Sequence, residues 1–251
     1  MGDILTAKDL CKTFSNESVQ QHVLKNLNLS IKEGDFTVIM GNSGSGKSTL
    51  LYALSGMDRP TLGSISYHGE EISKYSNDKL AIFRRKHCGF VFQQNYLNDS
   101  MSVLDNIMIC GLLATKDRKA LAQKAKELLL QVGISKQTFR KFPNQLSGGE
   151  KQRVAVVRGI INEPEILFAD EPTGALNSQN TENVLNVFTE LNKKGQSIVM
   201  VTHDMKSARR ANRILYLQDG VITGELNLGA YKTGDKERHE KLRHFLEEMG
   251  W

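Results

Sequence analysis

A glycine-rich segment followed by lysine and serine constrains the fold of this chain more than any other feature. Its residues are Gly41, Asn42, Ser43, Gly44, Ser45, Gly46, Lys47 and Ser48. It follows an apolar run at residues 36–40 and leads into a helical pattern that begins at Thr49. Glycine lets the backbone turn so that successive N–H groups point inward, and the helix N-terminus adds positive potential. The sequence therefore predicts a strand, a phosphate-binding loop and a helix in an α/β fold.

The last residues of the loop carry the polar side chains that phosphates and metal ions require. Lys47 is expected to reach the β- and γ-phosphates of a nucleotide, and Ser48 to bind Mg²⁺. We assign all eight loop residues and Thr49 to nucleotide binding. An ordinary glycine turn is the alternative interpretation, and the flanking strand and helix favour the phosphate loop.

Short apolar runs alternate with helical patterns along the chain. The runs cover residues 36–40, 89–92, 165–169, 197–202 and 214–217. Such alternation predicts a mostly parallel sheet. The more polar patterns before Gly34 and at residues 63–68 suit an antiparallel subdomain, and periodic Leu, Ile and Ala at residues 98–141 predict a helical insertion.

The apolar run at residues 165–169 is followed by two carboxylates, Asp170 and Glu171. Parallel sheets bind ligands beyond the carboxyl ends of their strands, so both side chains are expected to arrive at the phosphates. Asp170 is then placed to hold the Mg²⁺ shell, and Glu171 to accept a proton from an attacking water. By itself the pair is equally compatible with a helix cap, because Asp and Glu also favour helix starts.

A second glycine motif follows the predicted helical insertion. Its residues are Leu146, Ser147, Gly148, Gly149 and Glu150, of which we assign the last four to nucleotide binding. A helical run follows the motif, and a helix N-terminus with exposed N–H groups is an anion site. Because the nucleotide already has its own phosphate loop, two chains related by a two-fold axis could each offer this second site to the other's nucleotide.

Together, these motifs resemble those of the ABC ATPase family. The phosphate loop, the Leu-Ser-Gly-Gly-Glu signature, the strand ending in Asp-Glu and a later Val-Thr-His-Asp segment lie within residues 4–225. The resemblance implies a P-loop NTPase core of the RecA type, an antiparallel β subdomain, and an α-helical signature subdomain at about residues 95–150. It also implies ATP and Mg²⁺ as cofactors, ATP hydrolysis coupled to transport, and a head-to-tail dimer that encloses ATP.

The resemblance implies roles for residues that carry no clear signal alone. Ser147 and Gly149 would contact the γ-phosphate of the ATP bound to the other copy. Gln93 matches the glutamine that senses Mg²⁺ and the attacking water, and His203 matches the histidine that contacts the γ-phosphate. Phe14 occupies the position where the family stacks an aromatic ring on adenine, although an isolated Phe is more often a core residue.

Two positions depart from the family pattern. The signature ends in Glu150, a common variant of the usual glutamine. The loop after the acidic pair ends in Asn177, where the family has aspartate. Asparagine keeps the hydrogen-bonding shape and loses the charge, which puts in question how tightly this loop couples the two ATP sites.

Longer runs of sequence look like one branch of the family. Residues 89–98, 144–159 and 168–177 resemble ATPases that serve lipoprotein-release, macrolide-efflux and cell-division complexes. Residues 168–176 and the tail at residues 226–251 look most like the bacitracin-type transporters that give resistance to antimicrobial peptides. The implied partners are a separate membrane-spanning permease and a second copy of the chain, which place the chain at the cytoplasmic face of the cell membrane.

The composition bears on other classes of protein. Among 251 residues, 39% are hydrophobic and 24% charged, which argues against a disordered or fibrous chain. The three cysteines lack metal-ligand spacing and are expected to be reduced thiols. No signal peptide is expected around Asp3, and the longest apolar stretch, residues 107–114, is far shorter than the roughly 20 residues of a membrane-spanning helix. The charge of +5 is spread along the chain, so no nucleic-acid partner is expected.

Two other classes of ATPase in the same superfamily are disfavoured by the spacing of the motifs. Chromosome and DNA-repair ATPases insert a long coiled coil between loop and signature, whereas Lys47 and Leu146 leave room only for a small helical subdomain. Translation factors carry two cassettes in one chain, and this sequence has one phosphate loop and one signature. A transporter motor is therefore the expected function.

Two segments have alternative interpretations. In the tail, the spacing of the apolar residues predicts an amphipathic helix with an apolar stripe of Leu242, Phe245, Leu246 and Met249. The stripe packs either on the chain's own domain or on a partner or membrane. The loop at residues 94–98 contains Tyr96 and Leu97. They form either a hydrophobic socket for the permease or a contact that packs the helical subdomain onto the sheet.

Overall fold

The structure, a computed structural model, describes residues 2–16 and 19–251. Its strands are β1 (Asp3–Asn16), β2 (Val19–Lys32), β3 (Phe36–Met40), β4 (Leu62–Tyr67), β5 (Glu70–Glu71), β6 (Cys88–Phe92), β7 (Ile166–Asp170), β8 (Ser197–Val201), β9 (Arg213–Gln218) and β10 (Val221–Asn227). Its α-helices are α1 (Lys47–Leu54), α2 (Asn77–His87), α3 (Val103–Gly111), α4 (Arg118–Gln131), α5 (Gly148–Ile160), α6 (Ser178–Lys193), α7 (Met205–Ala208) and α8 (Lys236–Glu248). Two short 3-10 helices, Lys136–Arg140 and Pro143–Gln145, connect α4 to α5.

The central sheet has six strands in the order β10-β9-β3-β8-β7-β6. Neighbouring strands from β9 to β6 are parallel, and β10 is antiparallel to β9. Strands β3 and β8 are buried over their whole length, which explains their continuous apolar sequence. The predicted α/β fold with a mostly parallel sheet is confirmed.

A four-stranded antiparallel sheet, in the order β2-β1-β4-β5, packs on one face of the central sheet. Helix α1 lies between the two sheets, and Leu10, Leu27 and Leu54 belong to the core that they share. This confirms the antiparallel subdomain predicted from the polar patterns. Strands β1 and β2 are 14 residues each, and β2 reaches the turn between β9 and β10, where the Lys25 N–H donates to the carbonyl oxygen of Gly220 (2.9 Å).

Helices α3, α4 and α5 pack around a core of their own, which includes Val103, Leu129 and Val154. Leu97 lies in the same core and is 9% exposed, whereas the neighbouring Tyr96 is 64% exposed. The two interpretations of this loop therefore separate by residue. Leu97 packs the helical subdomain, and Tyr96 remains at the surface.

The tail helix α8 packs on the face of the central sheet opposite to the antiparallel sheet. Leu242, Phe245 and Leu246 are buried in a core that they share with Tyr216 of β9. The chain's own domain thus covers the apolar stripe of α8. Strand β10 continues to Asn227, past the expected domain boundary at residue 225.

A buried arginine fixes the start of α8. Arg238 is 2% exposed, and its guanidinium donates hydrogen bonds to the carbonyl oxygens of Arg209 (2.7 Å) and Leu228 (2.8 Å). These bonds satisfy a buried charge and anchor the tail to the segments that flank β9 and β10. No helix in the described part of the chain is long and apolar enough to cross a lipid bilayer.

Candidate nucleotide site

Four strands of the central sheet end at one edge, and each leads into a predicted site residue. Strand β3 leads into the phosphate loop, β7 ends in Asp170, and β8 and β6 precede His203 and Gln93. In the parallel ladders, Ile39 and Asp170 both pair with Val201, so these strand ends lie level with one another. The sheet therefore brings residues from distant parts of the sequence to the same edge.

A cleft of about 790 Å³ opens at this edge. The predicted site residues that line it are Phe14, Asn42, Ser43, Gly44, Gly46, Lys47, Ser48, Thr49, Glu171 and His203. Gln21, Val23 and Trp251, which the sequence patterns did not indicate, line it as well. Gly41 and Ser45 are buried beneath the loop surface. The cleft thus gathers most of the expected nucleotide-binding residues in one place.

Glycine is required at two positions of the phosphate loop. A Cβ at Gly41 would lie 2.0 Å from the carbonyl oxygen of Leu217, which is too close for any side chain. Gly46 has a φ of 101° and immediately precedes α1, and a Cβ there would lie 3.1 Å from Val23. The loop is therefore held tightly between β9 and β2, with its backbone turned toward the cleft.

Lys47 is buried inside the loop. Its Nζ donates hydrogen bonds to the carbonyl oxygens of Gly41 and Asn42, both at 2.9 Å. Burial lowers the pKa of Lys47 below its ordinary value, while the negative charges of Glu171 and Asp170 oppose that shift. A poorly solvated ammonium is stabilised when an anion such as phosphate enters the loop.

Two hydroxyl groups of α1 hold Asp170. Ser48 Oγ donates to Asp170 Oδ1 at 2.9 Å, and the Tyr52 hydroxyl donates to Asp170 Oδ2 at 2.6 Å. Burial and the bond to Asp170 raise the pKa of Tyr52, so its phenol stays protonated and remains a donor. Hydroxyl and carboxylate oxygens are the hard ligands that Mg²⁺ prefers, so Ser48 and Asp170 fit a magnesium site.

Glu171 lies against His203, with 3.1 Å between Glu171 Oε1 and His203 Nδ1. Its φ of 43° is a left-handed conformation that residues other than glycine rarely adopt, and such strain concentrates at functional sites. A bond from its backbone N–H to the carbonyl oxygen of Val201 (3.0 Å) holds this conformation. The side chains of Gln93 and Glu171 both approach Gly174, where a Cβ would lie 2.9 Å from Gln93 Nε2 and 3.4 Å from Glu171 Oε2.

The signature residues stand apart from this cleft, since none of the four is among the described residues that line it. Ser147 and Glu150 form a capping box at the start of α5: Ser147 Oγ accepts from the Glu150 N–H (3.3 Å), and Glu150 Oε2 accepts from the Ser147 N–H (2.9 Å). The hydrogen bond from the Ser147 N–H lowers the pKa of Glu150, so this side chain is a carboxylate. Ser147 and Gly148 are exposed and thus free to face another molecule.

The unusual Asn177 has a clear structural role. It is the N-cap residue that precedes α6, and its Oδ1 accepts a hydrogen bond from the Asn180 N–H at 3.0 Å. The Asn180 side chain in turn lies against the signature, because a Cβ at Gly149 would come within 2.4 Å of Asn180 Oδ1. An uncharged amide therefore suffices to cap α6 and to position the residue that packs on the signature.

Two residues that the sequence did not single out belong to the surroundings of the site. Gln152 of α5 is 2% exposed and its Nε2 donates to the carbonyl oxygen of Phe92 at 2.8 Å, so it joins the signature helix to the residue before Gln93. Tyr52 lies four residues after Ser48, on the same face of α1. That spacing could have indicated Tyr52, whereas a glutamine among the charged residues of the first turns of α5 gave no such signal.

A parallel sheet that presents a phosphate loop and a carboxylate-bearing strand at one edge defines a P-loop nucleotide-binding protein. The chain belongs to the ABC transporter family, whose model matches residues 24–174. It is 39% identical to the bacitracin export ATP-binding protein BceA of Halalkalibacterium halodurans, over 98% of this chain and 96% of that protein. It is 43% identical to the lipoprotein-releasing system ATP-binding protein LolD of Aquifex aeolicus, over 90% of this chain and 99% of that protein.

A solved structure gives the same assignment. The ATP-binding cassette MJ0796, in a dimeric post-hydrolysis state bound to ADP and Pi, superposes with a TM-score of 0.82. It is 37% identical and covers 90% of this chain and 100% of its own. The expected family, fold and ABC-type ATPase activity are therefore confirmed.

The contact between Tyr52 and Asp170 predicts a specific effect on Mg²⁺. Tyr52→Phe removes one hydrogen bond to a charged group, which is worth about 1.5–3 kcal/mol, and leaves Asp170 less firmly oriented. We expect the Mg²⁺ concentration for half-maximal ATPase activity to rise about tenfold, a change equivalent to 1.4 kcal/mol. Tyr75→Phe is the matched control, because the Tyr75 hydroxyl bonds Glu70 at an exposed site away from the cleft. An unchanged Mg²⁺ dependence in Tyr52→Phe would contradict the positioning role.

Proposed function

We propose that this chain powers a separate membrane permease that protects the cell against bacitracin-type antimicrobial peptides. The observation that carries the proposal is the extent of the match to BceA, which covers 98% of this chain and so reaches into the tail. The match to LolD spans 99% of that protein but leaves a tenth of this chain uncovered, about the length of the tail. The alternative is the ATPase of a lipoprotein-release, macrolide-efflux or cell-division complex.

The working unit we propose is a head-to-tail dimer of two copies that enclose two ATP molecules. One chain brings together the phosphate loop, Glu171 and His203, but leaves Ser147 and Gly148 exposed elsewhere. A second copy related by a two-fold axis would place its signature over this cleft. The dimeric state of the solved MJ0796 cassette supports the arrangement. ATP then shifts the equilibrium between open and closed dimers through its preference for the closed one.

Within the closed site, each residue has a proposed task. Phe14 is 46% exposed at the mouth of the cleft, with Lys12 Nζ 4.9 Å from its ring centroid, and is thus available to stack on adenine. Lys47 compensates the phosphate charge, and Ser48, Asp170 and Gln93 would hold Mg²⁺. Mg²⁺, when bound, offsets the negative charge of the phosphates.

Glu171 is the proposed general base. It accepts a proton from the attacking water, while His203, 3.1 Å away, fixes the orientation of its carboxylate and contacts the γ-phosphate. The strained backbone at Glu171 and its bond to Val201 keep the carboxylate in one place before ATP arrives. In the proposed cycle, closure of the dimer leads to ATP hydrolysis, and hydrolysis allows the dimer to reopen.

Glu171→Gln tests the proposed base. Glutamine can still accept a hydrogen bond from His203 but cannot take up the proton of the water, so we expect ATP binding to persist and hydrolysis to slow by about 10²–10⁴-fold. The variant should accumulate as an ATP-bound dimer in light scattering, and Lys47→Ala, which lacks the phosphate contact, should not. Hydrolysis by Glu171→Gln at the wild-type rate would remove Glu171 from the mechanism.

We further propose that Tyr96 contacts the permease. The loop that carries it is rigid, because Arg158 donates hydrogen bonds to the carbonyl oxygens of Asn95 (2.7 Å) and Tyr96 (2.6 Å). The ring of Tyr96 packs edge-on against Phe92 with 5.5 Å between centroids, yet remains 64% exposed. A fixed, exposed aromatic residue three positions after Gln93 is suited to carry motion of a partner toward the ATP site.

Single substitutions separate docking from packing. We expect Tyr96→Ala to reduce recovery of the permease in a pull-down from membranes while leaving the melting temperature nearly unchanged. Leu97→Ala should instead lose about 2–5 kcal/mol of stability, because a buried leucine is truncated. Full permease recovery by Tyr96→Ala would refute the docking role.

The proposed substrate class is tested in cells. The chain is co-expressed, in a peptide-sensitive bacterial host, with the permease that copurifies with it from membranes. We expect growth in higher concentrations of bacitracin but no change in macrolide sensitivity, and Glu171→Gln should abolish the effect because transport requires hydrolysis. Protection against macrolides alone would favour the efflux alternative.

A further inference from the structure

Backbone hydrogen bonds hold Trp251, which lies three residues after the end of α8. Two residues after the end of α8, Gly250 has a φ of 78°, and its N–H donates to the carbonyl oxygen of Glu247 (3.1 Å). The Trp251 N–H donates to the carbonyl oxygen of Leu246 (2.9 Å). These two bonds form a Schellman motif, which turns the chain sharply and sets the direction in which Trp251 leaves the helix.

The Trp251 ring is also held by packing. It lies edge-on to Tyr216, with 6.4 Å between ring centroids, and Phe245 contacts Tyr216 in a similar way at 6.5 Å. Tyr216 is buried in β9 and pairs with Met40, the residue before the phosphate loop. Trp251 is therefore joined through one buried ring to the strand that supports the loop.

Two aromatic residues reach the cleft from opposite faces of the central sheet. Phe14 belongs to the antiparallel sheet, which packs on the face that includes Ile39 and Leu215. Trp251 follows α8, which packs on the other face with Tyr216. Both line the cleft that contains the phosphate loop, and Trp251 is 42% exposed there.

The geometry points to Trp251 as a further nucleotide-binding residue, whose indole contacts the bound nucleotide from the side opposite to Phe14 and strengthens its binding. The inference rests on the proposed assignment of this cleft as the nucleotide site. An indole suits this position, because its faces stack on flat or apolar groups and its N–H donates to ribose or phosphate oxygens. Its packing against Tyr216 also restricts the ring before a ligand arrives, so less side-chain freedom is lost on binding.

The chain contains a single tryptophan, so its fluorescence reports on this residue alone. ADP is added to the wild-type chain, light scattering verifies that the chain is monomeric, and the indole is quenched with acrylamide. We expect ADP to reduce the quenching constant about twofold, since a ligand on one ring face removes about half of the accessible indole. Lys47→Ala in the same ADP solution controls for absorption of light by free nucleotide.

Affinities of variants provide the second measurement. By isothermal titration calorimetry, Trp251→Ala should bind ADP about tenfold more weakly, in the range that aromatic stacking contributes to base binding, and Trp251→Phe should recover most of the loss. Met249→Ala is the matched control. Met249 packs against Gly224 of β10, because a Cβ at Gly224 would lie 2.6 Å from Met249 Sδ. Met249 does not line the cleft. We expect Met249→Ala to alter the melting temperature but not the affinity.

The possible outcomes separate the inference from the assignment on which it rests. Failure of the wild-type chain to bind ADP at all would overturn the nucleotide site itself. Normal ADP binding with unchanged quenching, or with unchanged affinity in Trp251→Ala, would overturn only the role of Trp251. Protection of the indole that arises solely in an ATP-bound dimer would also overturn it, because the second copy would then cover the ring.

Discussion

The parallel pairing of β3, β8, β7 and β6 sets the positions of the loops that follow these strands. Ile39 and Asp170 pair with the same residue, Val201, so the loop, the carboxylates and His203 start from level strand ends. A slip of one residue in any ladder would turn that strand's side chains to the opposite face of the sheet. The strands tolerate no such slip, because both of their faces are buried against large apolar cores.

Within one chain, the signature lies apart from the cleft that contains the phosphate loop. Lys47 satisfies its charge on carbonyl oxygens of its own loop, and the signature satisfies its helix start with the side chains of Ser147 and Glu150. These polar groups of both glycine motifs are thus hydrogen-bonded within the chain, while Asn42 and Ser147 remain exposed. The Asn177 amide likewise satisfies a helix start from within the chain. It caps α6 without the charge that the family usually carries there.

The tail at residues 226–251 packs on the central sheet and supports it. Arg238 is buried among backbone carbonyls, and the apolar residues of α8 complete a core that reaches β9. The tail is therefore a structural part of the sheet's support rather than a free appendage. Through Tyr216 it lies one strand away from the phosphate loop, which makes the stability of the tail and the geometry of the cleft physically connected.

The sequence alone indicates the phosphate loop, the apolar runs of the strands, and the positions of the acidic pair and the signature motif, because each is a local pattern with a local physical cause. No sequence pattern predicted that Tyr96 is exposed and Leu97 buried. The two neighbours differ because the folded loop turns one side chain to the surface and the other into the core. The bond from Gln152 to the strand before Gln93, and the arrival of Trp251 at the cleft, join residues far apart along the chain. These contacts arise in the tertiary structure, because sheet pairing and helix packing set distances that sequence spacing does not encode.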